Sequence, residues 1–288
     1  RGAALPIQNV VVRVVLYHGR KRILAHTARP GAAAFAASIS SGAVRAGRTS
    51  VALEETAQGR AYVVVVEPWI RLVFQGPPGR PPATGPRGGP VWDLASMGLK
   101  VAGEIQVVEG NRRRTLEFQG EGVHDHGFGP SWMVPAVRSW SWGWAHAREF
   151  GVAWRQMLLA SGEVETLLVA DRDGAPILGE AVHSRPFRTR YSLLGIPYRR
   201  CWRLDGPSGA GLAVERLTTL ASSPLGMRFL SSVRFSLQDP SGRLRLVEGI
   251  GLSSVARPCR VGVAPIGWLA LARERWTGRR AADTTQGR

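Results

Sequence analysis

Short β-type segments separated by turn residues recur along most of the chain, and they restrict its fold class more than any other feature. Residues 102–108 and 115–123 flank Glu109-Gly110-Asn111, a sequence typical of a hairpin turn. Further strands are predicted at residues 8–17, 61–66, 163–170, 229–237 and 244–248, with turns at 171–174 and 239–242. Repeated short strands of this kind predict an all-β fold, either an antiparallel β-barrel or a β-sandwich.

The chain is long enough for two β subdomains in tandem. We expect domains at residues 1–135 and 136–276, followed by a polar, disordered tail at 277–288. A rough helical stripe predicts a short C-terminal helix at 266–276, which either packs on the barrel or lies at a membrane interface. Two smaller predictions are an exposed, proline- and glycine-rich loop at residues 75–90 and a helical turn at residues 32–37.

Composition limits the partners that the chain is expected to have. Its formal net charge of +17 favours anionic surfaces, but Lys21 and Lys100 are the only lysines, and such an arginine excess is typical of GC-rich coding. No basic block is interleaved with aromatic residues and no zinc-finger spacing occurs, so no nucleic-acid partner is predicted. No apolar run reaches about eighteen residues, so no transmembrane helix is predicted.

The cysteines bear on the cellular compartment. Cys201 and Cys259 are too few for a disulfide framework and lack the spacing of metal ligands. They indicate a reducing compartment, the cytoplasm. The basic surface favours peripheral contact with the inner membrane as well.

Residues 120–146 concentrate the side chains best suited to chemistry, with three of the six histidines and four of the ten tryptophans. Side chains alternate on a strand, so Val123 and Asp125 share one face while His124 and His126 share the other. A His-x-His pair can supply two ligands to a metal ion, but an obvious third ligand is missing, and the nearest candidate, His146, lies on another segment. We favour a supporting role for both histidines and predict no metal.

Asp125 is the candidate acid of this segment. A carboxylate directed into an apolar barrel has a raised pKa, because burial disfavours its charged form, and it can then donate a proton. The alternative is a turn-forming aspartate before Gly127. Trp140, Trp142 and Trp144 alternate, so on a strand they form one wall. Aromatic faces can stabilise a carbocation, although packing alone also produces such a stripe.

One pattern in this segment, Gly120-x-Gly122-x-x-Asp125-x-x-x-Gly129, is followed by Trp140-Ser141-Trp142-Gly143. Together they resemble the signature of the carotenoid 1,2-hydratase (hydroxyneurosporene synthase) family, a lipocalin-like group. Residues 6–21, 50–69, 215–232 and 247–248 are also similar to that family in order and spacing. The resemblance therefore extends over most of the chain.

The resemblance implies a lipocalin-like barrel and a reaction without a cofactor. In that reaction an aspartate protonates the terminal double bond of an acyclic carotenoid or related isoprenoid, and water traps the resulting cation. Asp125 falls on this aspartate and Trp92 on the tryptophan of a His-x-Trp motif, which makes both candidate catalytic residues. The candidate substrate-binding residues are Trp140, Trp142, Trp144, Val123, His124 and His126.

Three positions depart from the family pattern. Val123 stands at a tyrosine position, Pro90 stands at a histidine position, and Trp144 stands where an arginine usually follows the Trp-x-Trp-Gly run. Two alternatives therefore remain open. One is a non-catalytic binding protein for a carotenoid or another lipid, and the other is a related isoprenoid or polyketide cyclase on the same fold.

Overall fold

β-Strands make up most of the part of the chain that the structure describes. The structure, a computed structural model, describes residues 12–18, 21–38, 43–56, 59–66, 70–75, 91–109, 112–128, 136–173, 175–238 and 242–262. Two short 3-10 helices lie among them, at Ala32–Ala34 and Pro258–Gly262. Within these ranges, no helix is both long and apolar enough to cross a membrane. The predicted all-β class is confirmed.

The N-terminal strands follow one another in chain order. A separate hairpin consists of β1 (Val12–His18) and β2 (Lys21–Ala28). A seven-stranded sheet then runs through β3 (Phe35–Ala37), β4 (Val44–Ala46), β5 (Thr49–Thr56), β6 (Gly59–Val66), β7 (Ile70–Gln75), β8 (Val91–Glu109) and β9 (Arg112–Phe128). Val66, Ile70 and Ile105 are buried together in its core.

The C-terminal strands form a nearly closed antiparallel barrel. Its strands are β10 (Val137–Ala147), β11 (Phe150–Leu159), β12 (Val164–Arg172), β13 (Ala175–Ala181), β14 (His183–Pro186), β17 (Cys201–Asp205), β18 (Gly211–Ser223), β19 (Gly226–Gln238) and β20 (Leu244–Ala256). Between β14 and β17 the chain forms a small hairpin of β15 (Thr189–Tyr191) and β16 (Pro197–Arg199). The order in the sheet is β13-β12-β11-β10-β20-β19-β18-β17-β14.

The described residues pack as two compact units. The first comprises residues from 12 to 75 and from 99 to 122, and the second comprises 91–98 and the residues from 123 to 262. Strands β8 and β9 therefore contribute to both units. The domain boundaries at 135/136 and 276/277 stay predictions.

Alternate residues on β11 form the centre of the second unit's core. Phe150, Val152 and Trp154 are at most 2% exposed and share one face of the strand, while Ala153 and Arg155 on the other face are buried too. Phe150 packs edge-on against Phe235 with ring centroids 5.8 Å apart, and Trp154 packs against Trp202 at 6.2 Å. Burial of each such side chain contributes about 1.5–3 kcal/mol to folding.

The predicted hairpins are present, but two local predictions had the wrong extent. The helical turn predicted at residues 32–37 is confirmed only as a 3-10 helix at Ala32–Ala34, because Phe35–Ala37 pairs with Val44–Ala46 and its backbone bonds join the sheet. The turn after β12 is shorter than predicted, since Asp171 is buried within the strand and accepts the Gly151 N–H at 2.9 Å. The loop predicted at 75–90 starts at Gln75, which is the last residue of β7. The rest of that loop lies outside the described residues. The predicted helix at 266–276 and the predicted tail at 277–288 also lie outside them.

Candidate functional site

Strand β10 presents two different faces. Ala145 and Ala147 are buried in the main core of the barrel, whereas Trp140 and Trp144 pack into a separate apolar cluster. That cluster also contains the buried side chains of Met97, Ala153 and Val169. The three tryptophans at alternate positions therefore lie on the face opposite to the barrel core. We call this face, with the cluster on it, the tryptophan face.

The strand that carries the candidate acid packs against the tryptophan face. Val123 of β9 contacts the cluster that contains Trp140 and Trp144. Asp125 lies two residues further along β9, on the same side of the strand as Val123, and is half-buried. The structure therefore brings the Asp125 side of β9 and the tryptophans into one region of the second unit.

A buried cation also lies on the tryptophan face. Arg155 of β11 is paired across the strands with Trp142 and is 4% exposed. Its Nη2 atom lies 3.8 Å from Glu165 Oε2. Burial lowers the pKa of Arg155, and the charge of Glu165 acts in the opposite direction. No pattern in the sequence indicates this ion pair.

The glycine of the central motif has a packing reason. A Cβ atom at Gly122 would lie 2.8 Å from both Phe74 Cε1 and Val101 Cγ2, all three residues belonging to the first unit. Such a distance is too short for a side chain to be accommodated without movement of its neighbours. The Gly122 position thus permits close packing one residue before Val123, which contacts the tryptophan face, and three residues before Asp125.

The structure assigns the other predicted site residues to strands, although it does not describe all of their side chains. Trp92 lies on β8, and His124 and His126 lie on β9, but their side chains are outside the described part of the structure. His146 is half-buried on β10. Among the side chains that the structure does describe, no three His, Cys, Asp or Glu residues form a group that could hold a metal ion.

A cavity of about 360 Å³, which no sequence motif indicates, lies in the second unit. It is lined by residues of β10 and β11, by residues on and next to β18 and β20, and by the β15–β16 hairpin, and Trp140 both lines it and packs in the cluster of the tryptophan face. Its aromatic lining consists of Trp140, Tyr191, Tyr198 and Trp202, and its cationic lining consists of Arg199, Arg216 and Arg257. The mouth of a β-barrel is a common place for a ligand pocket.

Arg216 is the most buried charge of this cavity, at 4% exposure. Its guanidinium donates to Ser253 Oγ at 3.3 Å, to the Arg199 carbonyl at 2.8 Å and to Ser141 Oγ at 3.1 Å. It also lies over the Trp202 and Phe229 rings, 4.3 and 4.5 Å from their centroids. Burial lowers the pKa of Arg216 to about 9, so the side chain remains charged at neutral pH.

One sequence signal could have identified Arg216. It follows Leu212 and Val214 at two-residue intervals on β18, and both of those residues are buried in the barrel core. An arginine at the next inward position is unusual, because charged residues are almost never fully buried without partners. The signal lies in the alternation of the strand rather than in any motif.

The nearly closed antiparallel barrel is a lipocalin-like fold, as the family resemblance implied. No protein-family profile matches the chain. A hydroxyneurosporene dehydrogenase from Chlorobaculum tepidum is 24% identical over 146 residues, which represent 49% of this chain and 38% of that protein. The chain thus spans well under half the length of that relative. This match is a distant similarity to an enzyme named for a carotenoid.

Two solved structures have a similar fold. The crystal structure of CghA with Sch210972 superimposes with a TM-score of 0.57 and 14% identity, covering 81% of this chain and 76% of that one. A candidate AttH protein from Nitrosomonas europaea superimposes with a TM-score of 0.54 and 14% identity, covering 86% and 81%. At these identities the two structures establish the fold class alone.

Proposed function

We propose that this protein is a hydro-lyase that adds water to the terminal double bond of an acyclic carotenoid or a related isoprenoid. The observation that carries the proposal is the packing of Val123, on the Asp125 side of β9, against the cluster containing Trp140 and Trp144. An acid and a wall of aromatic rings in one region are the two components that protonation of an alkene requires. The distant similarity to an enzyme named for hydroxyneurosporene supports the substrate class.

In the proposed reaction, Asp125 transfers its proton to the less substituted carbon of the terminal double bond, which leaves a tertiary cation at the other carbon of that bond. The faces of Trp92, Trp140 and Trp142 stabilise that cation through their electron-rich rings. Water then adds to the cation and returns a proton to the carboxylate, so the net change is the addition of one water. Trp144, Val123, His124 and His126 contact the substrate.

The positive charge of Arg155 affects the stability of the proposed cation. A guanidinium on the tryptophan face repels a carbocation, and its pairing with Glu165 reduces that effect. General acid catalysis supplies about 10²- to 10⁴-fold in rate. The remaining acceleration has to come from a preorganised apolar pocket.

The test uses the full chain with lycopene or neurosporene delivered in vesicles, because these substrates are insoluble in water. We expect a product heavier by one water, and we expect Asp125→Asn to abolish its formation. Asp173→Asn is the matched control, since Asp173 is an exposed turn residue with a φ of 50°, which asparagine tolerates. Product formation that survives in Asp125→Asn would rule out Asp125 as the acid.

A second measurement distinguishes hydration from the dehydrogenation for which the relative is named. That name specifies a dehydrogenase, which removes hydrogen from a hydroxylated carotenoid rather than adding water. The same incubation with hydroxyneurosporene is therefore analysed for loss of two hydrogens. Desaturation without hydration would contradict the proposal while leaving the substrate class intact.

A non-catalytic role is the second candidate function. Val123 and Pro90 stand where the family carries a tyrosine and a histidine, so two polar partners of the acid are replaced. A binding protein needs the tryptophan face but not these partners. Unchanged carotenoid extracted from the purified protein, with no turnover of added substrate, would favour this candidate.

A further inference from the structure

The described residues that line the cavity of the second unit include three positive charges. Arg199, Arg216 and Arg257 line it, and none of the described residues lining it is an aspartate or glutamate. None of the three arginines forms an ion pair with a carboxylate within the described part of the chain. Charges of one sign that share a low-dielectric cavity repel one another, and an anion in the cavity would relieve that cost.

Arg216 is held in place by neutral groups. Two serine hydroxyls and the Arg199 carbonyl accept from its guanidinium, and two aromatic rings cover its faces. An arginine has five N–H donors, and these bonds use three of them. The guanidinium is therefore oriented, charged and still able to donate to a ligand.

The other two arginines add to this donor set. Arg257 Nε is buried and has no hydrogen-bond partner among the described residues. Arg199 Nη1 lies 3.3 Å from Gln156 Oε1 and 3.4 Å from Ser184 Oγ, both neutral acceptors at long distances. A buried donor without a partner is unfavourable, and a bound oxyanion would satisfy it.

The remainder of the lining indicates what the anion is attached to. Trp140, Tyr191, Tyr198, Leu158, Val164 and Val255 contribute aromatic and aliphatic surface. The volume of about 360 Å³ lies near the lower end of the ~300–1,000 Å³ typical of small-molecule pockets. The cavity thus suits a small ligand, or one end of a longer ligand, with an anionic head and an apolar body.

We propose that this cavity is a binding site for an amphipathic oxyanion, a carboxylate or a phosphate carried on an apolar chain, which is recognised by Arg199, Arg216 and Arg257. This site goes beyond the proposed hydration, because an acyclic carotenoid has no anionic head group. Asp125 is not among the residues that line it.

The test compares three probes with the same chain and different heads: octanoate, octyl phosphate and octanol. Isothermal titration calorimetry on the full chain measures their affinities, and quenching of tryptophan fluorescence reports occupancy beside Trp140 and Trp202. We expect at least one anionic probe to bind about tenfold or more tightly than octanol, with an affinity that decreases at high salt. The better anion identifies the head group as a carboxylate or a phosphate.

Variants of the lining arginines then locate the binding site. Arg199→Gln and Arg257→Gln should each weaken binding of the anionic probe about tenfold, and Arg216→Gln should abolish it. Arg200→Gln is the matched control, because Arg200 follows Arg199, is paired with Glu215 at 3.3 Å and does not line the cavity. Circular dichroism checks that each variant is folded. If Arg216→Gln does not fold, the other two variants decide.

Three outcomes would overturn the proposal. These are no binding of either anion, octanol binding as tightly as the anions, and unchanged anion affinity in both Arg199→Gln and Arg257→Gln. Asp125→Asn separates this site from the proposed reaction. That variant should retain anion binding even if hydration is lost or was never present.

Discussion

Single arginines create the sharpest electrostatic contrasts in the second unit. Arg155 has an acidic neighbour, Glu165, whereas Arg216 is surrounded by neutral acceptors and aromatic rings. Both residues are about 4% exposed, so the difference lies in their partners rather than in their depth. A buried cation beside an acid is suited to a structural role, and one without an acid is suited to binding an anion.

A substitution at Glu165 tests the structural role of its pair with Arg155. We expect Glu165→Gln to lower the free energy of unfolding by about 1–2 kcal/mol, because it leaves a buried guanidinium without its acidic neighbour. Glu248→Gln is the control, since its pair with Arg234 is solvent-exposed and should contribute less than about 0.5 kcal/mol. Urea unfolding measures both. Equal effects of the two substitutions would show that burial does not strengthen the Arg155 pair.

At the scale of elements, contact between β10 and β20 determines where the tryptophans lie. Gly251 of β20 is paired with Ala145 of β10, and a Cβ atom at Gly251 would overlap the Trp144 carbonyl oxygen. Gly249 is in the same situation against the His146 carbonyl oxygen. These glycines allow a close approach of the two strands, and that approach fixes the position of the backbone that carries the tryptophan face.

This close approach leads to a prediction for Gly251→Ala. The added methyl group should force β10 and β20 apart and destabilise the protein by about 1–3 kcal/mol. Because Trp144 moves with its backbone, the near-UV circular dichroism spectrum should change as well. Gly31→Ala is the control, as a Cβ atom there meets nothing within 4 Å. A near-neutral effect of Gly251→Ala would mean that the strands can separate without cost.

At the scale of the whole molecule, charge and fold have separate consequences. The formal net charge of +17 does not determine the fold, but it governs attraction to anionic surfaces. A substrate as insoluble as a carotenoid has to be supplied from a membrane. Peripheral contact with an anionic membrane therefore remains a prediction that follows from composition and from the proposed substrate.

Vesicle co-sedimentation tests this contact. We expect the full chain to bind vesicles that contain anionic lipid at low salt and to dissociate at high salt, because screening shortens the range of the attraction. Vesicles of neutral lipid are the control and should bind little protein. Equal binding to neutral vesicles, or binding that salt does not affect, would contradict an electrostatic contact.

The class of the fold could be predicted from the sequence because its causes are local. β-Branched alternation and turn residues such as Glu109-Gly110-Asn111 act over a few neighbouring residues, so the hairpin of β8 and β9 could be recognised without knowledge of the rest. Local sequence signals also led to a wrong prediction at one turn. The chain around Asp171 looked like a turn, yet its carboxylate is satisfied by Gly151 of the neighbouring strand.

By itself, the sequence determined the all-β class, the hairpins and the alternation that separates Asp125 from His124 and His126. Only the tertiary structure decided that Val123 meets the tryptophan face, that Arg155 lies opposite Trp142, and that three arginines share a cavity without an acid. The reason is distance along the chain. Arg216 and its acceptor Ser141 are 75 residues apart, and only the closure of the barrel brings such residues together.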